Sequence, residues 1–195
     1  MQRRNFMLTA AVTLASGGLT LAGCTTTPPG QNNAATDMSK RQSIDSSIDA
    51  TMQKLYTTVQ GSRELVAKSR GVLVFPSVLQ AGFIVGAQYG EGALRVGGSS
   101  VGYYSTVSGS FGLQAGAQSK ALIFCFMNQQ ALDQFRNTDG WSAGADASVA
   151  LVTIGANGAI DTNTATKPVE VFVLTNAGLM GDVSLAGTKV SRLKI

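Results

Sequence analysis

Glycine recurs inside runs that otherwise read as β-strand, and this limits the fold more than any other feature of the chain. Across Ala81 to Gly90, one strand face carries Phe83, Val85, Ala87 and Tyr89. The opposite face carries Gly82, Ile84, Gly86, Gln88 and Gly90. Over 111–118, Phe111, Leu113, Ala115 and Ala117 alternate in the same way with Gly112, Gln114, Gly116 and Gln118. Glycine weakens a strand interior, so its repetition there needs a structural reason. Sharp curvature of the sheet is one such reason. Close approach of another backbone or of a lipid chain is the other. Curvature requires no ligand and is the reading adopted here. The tripeptide Gly-Ala-Gln at 86–88 and 116–118 hints at a repeated strand unit.

Further strands are expected at 71–75, closed by Pro76, and at 92–97 and 101–107. The run 121–127, ALIFCFM, reads as a strand buried on both faces. Later strands are expected over 144–154, over 168–175 and within 176–187, with a polar loop at 162–167. Helical spacing precedes all of these. Ile44, Ile48, Met52, Leu55, Val59 and Val66 form one apolar stripe between Met38 and Ser69, with Asp37 as N-cap, an interruption at Gly61 and an end before Gly71. Asn128 reads as the cap of a short helix at 129–136 that turns Ala131, Leu132 and Phe135 inward. The expected fold class is therefore α+β. It is a single domain with a curved, mostly antiparallel sheet approaching a barrel, a long N-terminal helix and a short helix near 129–136.

The long helix carries Lys40, Arg41, Lys54, Arg63 and Lys68 on its other faces, with Arg70 just beyond, against Asp45, Asp49 and Glu64. That face is either an ordinary solvated surface or a basic surface for anionic lipid.

The chain has no histidine, which excludes Ser-His-Asp and Cys-His catalysis and any His-bearing zinc site. Glu91, Asp146, Asp161 and Asp182 are present, but nothing in their spacing pairs two of them for acid–base work. No phosphate-binding Gly-x-x-x-x-Gly-Lys-Ser/Thr pattern occurs. Asp146 reads as a turn or strand-entry residue. No enzymatic activity, metal or cofactor is expected. The formal charge of +4 includes Arg3 and Arg4; without them 13 cationic residues face 11 acidic ones, which gives no case for nucleic-acid binding.

Those two arginines precede an apolar stretch from Phe6 to about Ala22, the n- and h-regions of an export signal. Arg3-Arg4-Asn5-Phe6-Met7 fits both a twin-arginine motif and a plain basic n-region. Leu21-Ala22-Gly23-Cys24 resembles the lipobox of bacterial lipoproteins, which implies cleavage before Cys24 and acylation of its thiol. Thr25 after it implies sorting to the outer membrane in a two-membrane envelope. The expected division is a signal peptide at 1–23, a flexible tether at 24–37 and a folded domain at 38–195. With Cys24 committed to lipid, Cys125 has no disulfide partner and reads as a core residue. Trp141 reads as either a partly buried anchor or a lipid-facing side chain.

Several separated blocks together resemble the SYLF domain family. They are residues 67–76 (AKSRGVLVFP), 81–92 (AGFIVGAQYGEG), 110–118 (SFGLQAGAQ), 144–149 (GADASV) and 178–187 (GLMGDVSLAG), so the resemblance spans about 40–195. Eukaryotic members bind phosphoinositide-containing membranes through a basic amphipathic N-terminal segment, and some bind actin. By position, the resemblance implies Lys54, Arg63, Lys68 and Arg70 as headgroup contacts. Actin binding is not expected of an exported chain. The resulting expectation is a non-enzymatic, lipid-anchored cell-envelope protein whose domain contacts anionic phospholipid. The alternative is an interaction module for another envelope protein.

Overall fold

The computed structural model describes residues 33–82, 85–111, 118–154, 160, 167–181 and 184–195. The expected signal peptide and Cys24 lie outside these residues, as does most of the loop expected at 162–167.

Helix α1 runs Asn33–Thr58 and α2 runs Ser62–Lys68. Gly61 sits between them at φ 86°, a left-handed conformation that glycine adopts without Cβ strain and that ends the first helix. The apolar stripe is buried as its spacing predicts, with Ile48 and Leu55 fully inaccessible. Helix α1 starts earlier than expected. Asn33 to Asp37 are helical and not tether, so Asp37 lies within the first turns and caps nothing. Ala34 and Ala35 are strong helix formers and extend it. Beyond Gly61 the phase shifts, and Leu65 is buried while Val66 is only partly covered.

The strands are β1 (Gly71–Gly82), β2 (Val85–Val96), β3 (Ser99–Phe111), β4 (Gln118–Phe126), β5 (Trp141–Ser142), β6 (Val149–Leu151), β7 (Val169–Thr175), β8 (Gly178–Leu179) and β9 (Lys189–Arg192). Helix α3, Gln129–Asn137, follows β4, and Asn128 Oδ1 accepts from Ala131 N at 2.8 Å as its cap. Among the described residues the strands form one curled, half-barrel sheet in the order β5-β9-β3-β2-β1-β4-β7-β6, with β8 on β7. Every described ladder is antiparallel except β6 on β7.

Two cores lie on opposite faces of this sheet. Helices α1 and α2 cover Val72, Val74, Ala93, Ile123, Cys125 and Phe172. The other face buries Leu73, Phe75, Leu94, Phe124, Phe126 and Val171 beneath α3 and Trp141. Strand β4 therefore alternates between two apolar cores, which explains why its sequence shows no polar face.

Three strand expectations are corrected, at Pro76, across 81–90 and within 144–154. Pro76 does not end β1. It occupies a β-bulge between Val74 and Ser77, a place where its missing N–H breaks no ladder bond. The bulge also flips the alternation: Val72 and Val74 face α1 before it, and Val78 faces the other core after it. Residues 81–90 are not one strand. Gly82 pairs with Gly86, so the chain reverses between β1 and β2. Of the run 111–118, Phe111 ends β3 and Gln118 begins β4, and the residues between lie outside the described ones. In 144–154 only Val149–Leu151 is strand, because Gly144 at φ 85° and the Asp146 carboxylate, accepting from Ser142 N at 2.6 Å, make a turn. Within 176–187 the expected strand is the two-residue β8, Gly178–Leu179, but it is not the final one, because β9 follows at Lys189–Arg192.

Glu170 is buried among these strands with neither carboxylate oxygen hydrogen-bonded. Its neighbour across the ladder is Cys125, whose thiol pKa burial pushes up. Burial also raises the Glu170 pKa. The folded chain then holds a proton that the unfolded chain releases above the ordinary carboxylate range, so stability falls as pH rises from that range through the folded pKa. Glu170→Gln removes this term. The variant is expected to melt above the wild type at pH 8 and together with it near pH 4, as thermal unfolding across that range will measure.

Candidate functional site

The break at Gly61 sets α2 at an angle to α1 and opens a groove of about 570 Å³ between the helices and the end of the sheet. Met52 and Tyr56 of α1, Val66 of α2 and Val72 and Val74 of β1 give it apolar walls. Arg63, Arg70 and Arg95 bring three guanidinium groups to the same groove, and the Gly97-Gly98 turn closes one side. Both turn glycines have positive φ, 60° and 86°, the geometry of a two-residue hairpin loop.

The three arginines differ in how they are held. Arg95 is the least exposed. Its Nη1 donates to Asp49 Oδ1 at 2.5 Å and its Nη2 to the Asp45 carbonyl at 3.1 Å, while its buried Nε has no partner. Arg63 stacks over the Tyr56 ring at 4.3 Å from the centroid, a cation–π contact that holds the guanidinium at the rim. Arg70 is exposed. Among the described residues neither Arg63 nor Arg70 enters an ion pair. Asp49, the one carboxylate lining the groove among the described residues, is already engaged by Arg95. The arrangement offers free positive charge above an apolar floor, which suits an anionic group joined to hydrocarbon.

Two of the four predicted contacts, Arg63 and Arg70, thus come together. Lys54 does not join them. Its ammonium donates to the Thr175 carbonyl at 3.2 Å and to Asn176 Oδ1 at 3.3 Å, beside a hollow of about 200 Å³ that also contains Lys120. Burial lowers the Lys120 pKa. Lys68 is exposed and lines neither hollow. Cys24 lies outside the described residues. Sequence reasoning missed Arg95 because only the pairing of Val72 with Arg95 carries it to the groove. Its one local signal was a cation placed just before the Gly-Gly turn.

Trp141 is fully buried, so neither a partly exposed anchor nor a lipid-facing indole describes it. Among the described residues no cluster of His, Cys, Asp and Glu could hold a metal ion, and no helix is long and apolar enough to cross a membrane.

A family model, Ysc84, described as "Las17-binding protein actin regulator", matches residues 107–194. The match takes in the blocks at 110–118, 144–149 and 178–187. The blocks at 67–76 and 81–92 precede it, as do all three groove arginines. No curated protein matches the chain.

Proposed function

We propose, from the match of the Ysc84 family model to residues 107–194 and from the groove described above, that the chain is a non-enzymatic, lipid-anchored envelope protein whose domain engages anionic phospholipid headgroups. The anchor is the acyl group expected on Cys24. The headgroup contact is the groove between α1, α2 and the Gly97-Gly98 turn. One observation carries this reading: Arg63 and Arg70 stand at the rim without carboxylate partners, over apolar walls that accept the first carbons of a lipid.

Each cationic side chain near an anionic membrane surface contributes about 1 kcal/mol. Arg63→Gln combined with Arg70→Gln is therefore expected to weaken binding to phosphatidylglycerol-containing vesicles by roughly 30-fold. Co-sedimentation of the Cys24→Ser chain measures this without contribution from the anchor. Binding should also weaken as salt shortens the screening length. Equal binding to anionic and zwitterionic vesicles at low salt would sink the proposal.

The description of the matched family favours a second reading, docking of another envelope protein. Cross-linking in whole envelopes separates the two. One dominant protein adduct supports docking, and diffuse lipid-dependent labelling supports the membrane.

A further inference from the structure

Beyond the bulge at Pro76, strands β1, β2 and β3 extend past the helical cover and present an apolar row. Leu79 pairs with Tyr89, and Tyr89 pairs with Val107. Residues directly opposite in antiparallel ladders share a face, so these three side chains stand in line. They are 58%, 48% and 50% exposed. Ser119 continues the row at one end and Lys189 at the other.

The row lies on the α1 face. Glu91, two residues from Tyr89 and on the same face, bonds Lys40 of α1 at 2.8 Å and accepts from the Tyr89 hydroxyl at 2.7 Å. The one carboxylate adjoining the row along β2 is thereby neutralised. Partial burial pushes the Glu91 carboxyl up, and the hydrogen bonds from Lys40 and Tyr89 outweigh it, leaving its pKa below the usual carboxylate range.

We infer that this row is the part of the domain that enters the interfacial layer of the bilayer holding the N-terminal lipid. The inference rests on the lipid-anchored reading above and adds the orientation of the domain. Three considerations select lipid as the occupant. The first is reach: Cys24 precedes the start of α1 by nine residues, a span of at most about 30 Å, and α1 begins at the end of the sheet that carries the row. The second is size: three side chains fall far short of the roughly 800 Å² per partner of a stable protein interface. The third is composition: an aromatic hydroxyl between aliphatic groups, flanked by a lysine, is the residue set that settles at a membrane–water boundary. The row is also separate from the arginine groove. Leu79 and Val72 are seven residues apart along β1, about 23 Å, so the two contacts can be broken independently.

Tyr89→Trp in the full acylated chain, reconstituted with phosphatidylethanolamine/phosphatidylglycerol vesicles containing chain-brominated lipid, tests this directly. Trp141 is fully inaccessible and serves as a constant internal reference for folding. The expected result is a blue shift and quenching of the new indole, both abolished by adding Leu79→Asp and Val107→Asp. Solvent-like, unquenched emission from vesicle-bound protein overturns the inference and leaves the headgroup reading intact. Quenching that survives while the Cys24→Ser chain shows no anionic preference overturns the headgroup reading alone. A chain that carries no lipid on Cys24 and does not sediment with vesicles overturns both.

Discussion

Trp141→Ala is expected to lower the melting temperature by about 6–20 °C, corresponding to a loss of roughly 3–5 kcal/mol. The indole is fully buried and lies at 6.0, 6.2 and 5.5 Å from the rings of Phe124, Phe126 and Phe135, mostly edge to face. It joins strand β4 to helix α3 through the core beneath them. Alanine would leave a void bounded by three aromatic rings that cannot collapse together without moving α3. Trp141→Phe should be far milder. It keeps most of the volume, and it deletes a buried Nε1–H that has no acceptor. Thermal unfolding of the two variants side by side checks the argument. An alanine variant that melts with the phenylalanine variant would show that the void closes.

Gly92→Ala is the second large effect expected. A methyl group at this position would stand 1.9 Å from the Val74 carbonyl oxygen and 2.8 Å from the Phe75 ring. The first of these is backbone, at the edge of the β1 bulge, and it has no room to retreat without undoing the pairing on either side. Overpacking of this kind costs about 3 kcal/mol or more, and the variant is expected to accumulate as insoluble protein or to melt at least about 6 °C below the wild type. Gly109→Ala provides the control, because nothing lies within 4 Å of the corresponding position there. If both variants melt together, the close approach at the bulge is not what glycine serves.

That contrast also shows how the strand glycines were legible. Their repetition announced a curved sheet or a close backbone neighbour, and at Gly92 the two reasons merge: the bulged neighbouring strand presses on β2 where the sheet bends. Local signals were read well. The Asn128 cap, the inward trio Ala131, Leu132 and Phe135, and the stripe of α1 up to the break at Gly61 depend only on spacing within one element. What required distant pairing was not legible. The reversal between Gly82 and Val85 is hidden because period-two alternation continues through it without a proline or Asn-Gly signal. The bulge at Pro76 looks like a strand end from the sequence. The final strand, Lys189–Arg192, is four residues with one buried side chain, Val190, too short for a periodic pattern. At the candidate groove, helix periodicity offered Lys54, Arg63, Lys68 and Arg70 as equals. The angle at Gly61 and the Val72–Arg95 pairing decide that Arg63, Arg70 and Arg95 meet, while Lys54 turns to Thr175 and Asn176.

Helix α1 is 26 residues long, about 39 Å, and it is fastened to the sheet at intervals. Lys40 holds Glu91, Asp45 accepts from Ser100 and Tyr103, and Asp49 holds Arg95, with the buried stripe running between them. A pull on the start of α1 along the helix axis therefore loads these fastenings together, in shear, and does not peel them away one by one. Such a strut meets tension along its axis with several contacts at once, where tension across the axis would meet them singly.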